Sequence, residues 1–199
     1  MNAAIRLARL EDAAALRSIY APAVSTPVSF ELEVPTEQEM RNRVAKVLKT
    51  YPWLVCEQGG RVVGYAYGSR HRDRAAYDWS AEVSVYVDQS SKRKGVGRAL
   101  YRTLFKALSC QGFFNAFAGI TVPNPESVGF HESVGFRPIG VFHRVGFKDG
   151  AWRDVGWWEL PLATQPEIPP PLMTMQELLE SPSWRAVLQL GEECLRGNR

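Results

Sequence analysis

Cysteine is scarce in this sequence, and its placement argues against two kinds of structural cross-link. The three cysteines, Cys56, Cys110 and Cys194, lie far apart and show neither CxxC nor Cys/His spacing. An odd, dispersed set argues against a disulfide framework and against a zinc site. We therefore expect a protein of a reducing compartment that binds no metal.

Long apolar runs are also missing. No stretch reaches the roughly 18 apolar residues that a membrane-spanning helix needs, and no basic-then-apolar leader follows Met1. The formal net charge is only +3 and the basic residues are scattered, which does not favour nucleic acid as a partner. Since 45% of the residues are hydrophobic and 23% are charged, a core is available. These features predict a folded cytoplasmic protein that binds neither membranes nor nucleic acid.

Apolar periodicity predicts strands and helices in mixed order. Strands are predicted at 5–8, 53–56, 62–67, 81–87, 116–122, 138–145 and 152–160, and helices from Asp12 to Pro22, from Thr36, over 95–111 and over 124–133. Strict alternation in 81–87 places Glu82 on the face opposite Val83 and Val85. We expect a mixed α/β (α+β) domain.

Prolines concentrate after the last predicted strand. Five prolines fall between positions 161 and 171, a density typical of an extended, semi-stiff linker. A T-x-x-E capping box at Thr174 then predicts a helix. We assign 1–162 to one domain, 163–173 to a linker and 174–199 to a helical extension. This extension is expected to pack on the domain or on a partner subunit.

A basic turn containing glycine, residues 90–99, precedes the long predicted helix. Backbone N–H groups at a helix start are unpaired, and glycine lets an anion approach them closely. The segment lacks the Walker A pattern, and a Rossmann GxGxxG would need glycine where Leu100 stands. The turn therefore favours a phosphate site, and a solvated turn is the alternative.

A second motif covers residues 124–136. Asn124, Ser127 and His131 lie at i, i+3 and i+7, which places them on one stripe of a helix. Asn before Pro125 is also an ordinary helix N-cap. A histidine here either transfers protons near neutral pH or complements the helix dipole.

Both motifs resemble those of the GNAT superfamily of acetyltransferases. Residues 92–97 are similar to its Q/R-x-x-G-x-G/A loop with Lys92 in the first position, and 124–136 to N-x-x-S-x-x-x-Y-E-x-x-G-F with His131 in the Tyr position. That histidine and the segments 28–31, 76–87, 146–150 and 154–158 resemble the phosphinothricin and methionine sulfoximine N-acetyltransferases. The resemblance covers 5–160 and implies a GNAT fold, with a mixed central sheet splayed around acetyl-CoA, helices on both faces, and a homodimer.

The resemblance also implies the binding residues. Acetyl-CoA would contact the backbone of Val85, Tyr86 and Val87, the turn and helix start of Lys92, Arg93, Lys94, Gly95, Val96, Gly97 and Arg98, and Asn124 and Ser127. The small amino-acid-like acceptor would contact Phe30, Arg72, Arg74 and Tyr77. Arginines grip carboxylate or phosphinate oxygens well, although a basic run such as 70–74 is often a solvated loop.

Acetyl transfer needs a neutral amine, so a base must remove a proton. An α-amine has a pKa of about 7.7 to 8.0, so a nearby carboxylate can remove its proton near neutral pH. Glu82 is the first candidate for this base. The alternative is that Glu82 is an ordinary solvated residue on the exposed side of a strand. His131 is the second candidate, as a proton relay or as a donor to the departing thiolate. Since no cysteine lies in the motifs, direct attack is expected rather than an acetyl-enzyme.

The predicted function is acetyl transfer from acetyl-CoA to the α-amine of a small acidic amino-acid analogue. One alternative is an N-acetyltransferase for another amine, such as a polyamine, a drug or a peptide N-terminus. A noncatalytic acyl-CoA-binding module, with the C-terminal helices as its contact surface, is the other.

Overall fold

A central sheet of seven strands organises the protein. The computed structural model describes residues 3–197. In chain order the elements are β1 (Ala3–Leu7), α1 (Ala13–Val24), α2 (Glu37–Val47), β2 (Trp53–Gln58), β3 (Arg61–Arg70), β4 (Ser80–Val87), α3 (Val96–Gln111), β5 (Asn115–Val122), α4 (Pro125–Ser133), β6 (Arg137–Lys148), β7 (Ala151–Pro161), α5 (Met175–Glu180) and α6 (Pro182–Arg196). Short 3₁₀ turns lie at 10–12, 75–77 and 89–91.

The sheet is splayed at its centre. Its order is β1-β2-β3-β4-β5-β7-β6, and every neighbouring pair is antiparallel except the parallel pair β4 and β5. That pair is joined only where Ser80–Glu82 meets Asn115–Phe117. Beyond it, β4 continues along β3 and β5 along β7, so a cleft opens between 83–87 and 118–122. The predicted mixed, splayed sheet is confirmed.

Helices cover both faces of this sheet. Alternate residues of β2 show the two layers, since Leu54 and Cys56 pack with α3 and Trp53 and Val55 pack with α1 and α2. On α3 the predicted apolar stripe of Leu100, Leu104 and Leu108 is fully buried. Burial of these side chains, at roughly 1.5 to 3 kcal/mol each, fixes α3 beside the cleft.

The prediction that Pro22 ends the first helix is wrong. The helix continues to Val24, which is buried. Proline lacks the N–H that would bond the carbonyl four residues earlier. That carbonyl belongs to Ser18, which is exposed. Water can therefore bind this carbonyl in place of the missing N–H, and the helix tolerates proline in its last turn.

The C-terminal helices pack on the rest of the chain. Met175, Leu178 and Val187 form a cluster with Ala107 of α3, and Leu195 joins the main core. The proline-rich stretch before them has no regular structure, and its Pro170 carbonyl accepts a hydrogen bond from the Trp79 indole at 2.8 Å. The division into domain, linker and extension stays a prediction; positions 1–2 and 198–199 lie outside the described residues. Within 3–197 no helix has the length and apolar character to traverse a bilayer.

Candidate active site

Glu82 lies at the head of the cleft. It is the last residue of β4 that pairs with β5, opposite Phe117, before the strands separate. Its side chain is 31% exposed. One carboxylate oxygen, Oε1, lies 3.2 Å from His71 Nδ1 and 3.5 Å from Arg72 Nη1. The predicted base therefore lies at the head of the cleft, partly exposed and in contact with two basic side chains.

Burial sets the proton affinity of this group. It raises the pKa of Glu82 above the ordinary carboxyl value, and the nearby Arg72 opposes that rise. Burial and the same arginine lower the pKa of His71 below the ordinary imidazole value. A carboxylate with a raised pKa is a stronger base, and a neutral imidazole beside it does not neutralise its charge.

Aromatic rings enclose the partners of Glu82. The His71 ring stacks on Phe117 with centroids 4.3 Å apart, and Trp157 and Tyr77 meet it edge-on at 5.8 and 6.0 Å. The Arg72 guanidinium lies 5.2 Å from the centre of the Trp157 ring, within cation–π range. The structure thus brings Arg72 and Tyr77, two predicted acceptor residues, to the same place as Glu82.

The other two predicted acceptor residues lie apart from this group. Phe30 packs its ring against Gly146 of β6, so closely that a side chain at Gly146 would overlap it. Arg74 begins the 75–77 turn, where its carbonyl accepts from Tyr77 N–H at 3.0 Å, and its exposed side chain forms no hydrogen bond or ion pair with another described residue. Arg74 is therefore free to meet a ligand anion.

Lys148 fixes the loop that carries Phe30. The lysine is buried, and the carbonyl oxygens of Val24, Thr26, Ser29 and Glu31 surround its ammonium nitrogen at 2.6 to 2.9 Å, so three N–H donors are shared among four acceptors. Hydrogen bonds from a charged donor are worth about 1.5 to 3 kcal/mol each. This cage holds the loop against β6 and with it the position of Phe30.

The predicted phosphate turn has the geometry that an anion site requires. Gly95 caps α3 with a left-handed φ of 79°, a conformation that favours glycine. The first hydrogen bond at this end of α3 runs from Ala99 N–H to Gly95 O at 3.0 Å. The amides of Val96, Gly97 and Arg98 come before it and have no intrahelical acceptor. They lie beside the open end of the cleft, since a Cβ on Gly97 would be 3.6 Å from Val87.

Two basic side chains of this segment bind α4. Lys92 Nζ lies 3.3 Å from the carboxylate of Glu126, and Arg98 donates to Ser133 at 3.3 and 3.4 Å. These contacts join the start of α3 to α4. The backbone amides and the exposed side chains of Arg93 and Lys94 therefore remain available to an anion.

Asn124 and Ser127 form the N-terminal cap of α4. The Asn124 side-chain oxygen accepts the Ser127 backbone N–H at 3.1 Å, as in an ordinary N-cap. Their predicted contacts with the pantetheine arm stay a prediction.

His131 is buried between α3 and α4. Its Nδ1 lies 2.8 Å from the Ser127 carbonyl, which can only accept, so Nδ1 carries the proton and Nε2 accepts from the Tyr101 hydroxyl at 2.9 Å. Burial lowers the pKa of His131. The structure does not join His131 to Glu82 by a hydrogen bond, and its catalytic role stays a prediction.

Sequence reasoning missed His71 and Lys148. In the sequence, His71 lies within the basic run 70–74 and Lys148 within the segment 146–150, and neither position has a pattern of its own. The signal for His71 is the register of β3 and β4, in which Ser69 pairs with Glu82, so that residue 71 falls on the same face. The described residues contain no cluster of three or more His, Cys, Asp or Glu side chains suited to a metal ion.

Comparison with known proteins assigns a family to this architecture. The profile of the acetyltransferase (GNAT) domain matches residues 5–157. A phosphinothricin N-acetyltransferase of Streptomyces viridochromogenes is 39% identical over 170 residues, 83% of this chain and 93% of that protein. An L-methionine sulfoximine/L-methionine sulfone acetyltransferase of Salmonella typhimurium is 34% identical over 160 residues, 79% and 94% of the respective chains. The crystal structure of a GNAT superfamily phosphinothricin acetyltransferase from Sinorhizobium meliloti with acetyl-CoA has a TM-score of 0.78 at 32% identity and covers 88% and 99% of the chains.

Proposed function

Because the chain belongs to the GNAT acetyltransferase family, we propose that it transfers the acetyl group of acetyl-CoA to the α-amino group of a small acidic amino-acid analogue. The acceptor is of the phosphinothricin or methionine sulfoximine type, as in the names of its relatives. The observation that carries the proposal is the position of Glu82 at the head of a cleft whose other end holds the free amides of α3.

The cleft suits acetyl-CoA in two ways. The backbone of 83–87 has no strand partner on the β5 side, so its polar groups are available to the amides of a pantetheine arm. The free amides of Val96, Gly97 and Arg98 would hold the diphosphate, because the helix start is electropositive. In this arrangement the thioester lies toward Glu82.

The reaction follows from this arrangement. Glu82 takes a proton from the acceptor ammonium group, and the freed amine attacks the thioester carbonyl carbon. The tetrahedral intermediate collapses with cleavage of the C–S bond, and its nitrogen passes a proton to the departing thiolate. The products are the N-acetyl compound and CoA, and Glu82 returns its proton to solvent.

The test measures thiol release from acetyl-CoA with phosphinothricin, methionine sulfoximine, methionine sulfone, spermidine and a peptide, and identifies each product by mass spectrometry. We expect acetylated product with the anionic amino-acid analogues. Acetylation of spermidine or the peptide alone would assign another amine as the acceptor. If the protein bound acetyl-CoA and formed no acetylated product, it would be a noncatalytic acyl-CoA-binding module.

Arg74→Ala should weaken binding of the acceptor and leave binding of acetyl-CoA unchanged. Its guanidinium has no hydrogen-bond or ion-pair partner among residues 3–197 and belongs to the residue that begins the turn of Tyr77. Loss of a charged hydrogen bond costs about 1.5 to 3 kcal/mol. The KM for phosphinothricin should rise about 10-fold or more, with the KM for acetyl-CoA unchanged. Arg41→Ala on α2 is the control. An unchanged acceptor KM would remove Arg74 from the pocket.

A homodimer is supported by the outer edge of the sheet. β6 is an edge strand of 12 residues that exposes Ile139, Val141, Phe142, Val145 and Phe147, each 43 to 59% accessible. Long apolar edge strands are normally covered. We expect light scattering to give twice the mass of the chain; a monomer mass at assay concentration would contradict this.

A further inference from the structure

His71 is a largely enclosed titratable group that the proposed reaction leaves unused. It follows the last residue of β3, and its side chain reaches Glu82 of β4, with Nδ1 3.2 Å from Glu82 Oε1. The His71 side chain is only 11% exposed. A ring this close to the proposed base either changes the pKa of the carboxylate or fixes its orientation.

The ring is held on several sides. Phe117 covers one face at 4.3 Å, and Tyr77 and Trp157 close two edges. The backbone is also anchored, because Arg72 Nη1 donates to the His71 carbonyl at 3.1 Å. A ring fixed in this way can impose one orientation on the carboxylate that it contacts.

The chemistry of the pair identifies the donor. An ionised carboxylate can only accept hydrogen bonds, so the Nδ1 of a neutral His71 must carry the proton. Both contacts of Glu82, from His71 and from Arg72, go to Oε1. No described residue donates to Oε2, which is left to receive the proton of the incoming ammonium group.

We propose that His71 is a positioning residue for Glu82, which donates from Nδ1 to Oε1 and so turns Oε2 toward the acceptor amine. The proposal rests on the proposed function, in which Glu82 is the base. A rigidly held neutral donor fixes the geometry of the carboxylate and leaves its charge in place. A protonated imidazole would form an ion pair with Glu82 and make it a weaker base.

Four other titratable or charged groups surround the pair. Arg72 is the one that approaches Glu82 directly, at 3.5 Å. Tyr77 meets the edge of the imidazole, and Tyr67 of β3 lies within electrostatic range of Glu82, with a pKa that burial raises above the ordinary phenol value. Glu159 of β7 pairs with Phe117 and is exposed. Of these groups, Arg72 is the charge that acts on both members of the pair.

The test compares His71→Phe, His71→Asn, Glu82→Gln and the double variant His71→Phe/Glu82→Gln in kcat, KM and pH profile. Phe keeps the aromatic stacking and removes the donor, and Asn restores an N–H near the position of Nδ1. We expect His71→Phe to lower kcat about 10-fold or more with little change in the KM for acetyl-CoA, and His71→Asn to recover part of the loss. Thermal unfolding of each variant confirms that it is folded.

The pH profile and the double variant identify how His71 acts. Loss of a donor to the ionised carboxylate raises its pKa, so the acidic limb of kcat should move to higher pH in His71→Phe. The double variant should be no slower than Glu82→Gln alone, because His71 acts through Glu82. The proposal would be overturned if His71→Phe left the acidic limb of kcat in place and if the losses of kcat in the two single variants added up in the double variant. By contrast, full activity of Glu82→Gln would show that Glu82 is not the base and would overturn this proposal, whereas the absence of acetylated product with the wild-type protein would refute the proposed function itself.

Nitrogen-15 NMR of the wild-type protein gives a readout independent of activity. We expect the His71 imidazole to be neutral with the proton on Nδ1, and Glu82→Gln to change its Nδ1 shift. Observation of the Nε2–H tautomer would overturn the proposal.

Discussion

Glu82→Gln should lower kcat on the order of 100-fold or more while acetyl-CoA still binds, because general base catalysis typically contributes 10² to 10⁴. Gln keeps the shape of Glu and cannot take a proton. The matched control is Glu159→Gln, which changes an exposed carboxylate next to Phe117 and should leave kcat within about 2-fold. If Glu82→Gln kept the wild-type rate, or if the control lost as much, Glu82 would not be the base.

The same assignment fixes the sign of the pH dependence. Only the ionised carboxylate accepts a proton, so the wild-type kcat falls as pH falls through the pKa of Glu82. Because burial raises that pKa, the acidic limb should lie above the ordinary carboxyl range. Glu82→Gln should lose this limb.

Gly97→Asp should abolish measurable acetyl-CoA binding, an increase in Kd of at least about 100-fold when two or more charged hydrogen bonds are lost. The new carboxylate would occupy the amides that we assign to the diphosphate and would repel its charge. A Cβ at position 97 would lie 3.2 Å from the Phe130 ring, which must shift by a few tenths of an ångström. A negative residue in the first turn stabilises a helix, so the fold should persist after this local adjustment. Calorimetric titration with CoA measures the change.

Gly129→Asp provides the control for Gly97→Asp. Gly129 is exposed on α4, and a Cβ there meets nothing within 4 Å. It adds the same charge with no effect on the start of α3, so CoA should bind as in the wild type. Equal losses in the two variants would mean that charge alone, rather than these amides, governs binding.

Local patterns predicted the elements that carry the chemistry. The alternation of 81–87 placed Glu82 opposite the buried Ala81 and Val83, and the periodicity of 95–111 predicted the helix whose start borders the cleft. These features depend on residues close in sequence, so periodicity is sufficient to find them. The pairing of β4 with β5 over three positions is not encoded locally; the splay itself was inferred from the family resemblance.

The environment of the base was not predictable, because it depends on contacts between distant residues. Phe117 and Trp157 reach His71 from strands that lie far along the chain. Lys148 reaches carbonyls more than a hundred residues earlier, and no local pattern announces a buried lysine. For His131 the sequence left two interpretations open, and its burial depends on how α3 and α4 pack.

A crystal structure of the complex with acetyl-CoA tests the central claim most directly. We predict the diphosphate within hydrogen-bonding distance of the amides of Val96, Gly97 and Arg98, the pantetheine arm between the separated strands, and the acetyl group facing Glu82. A coenzyme bound elsewhere, or a thioester directed away from that carboxylate, would contradict the account.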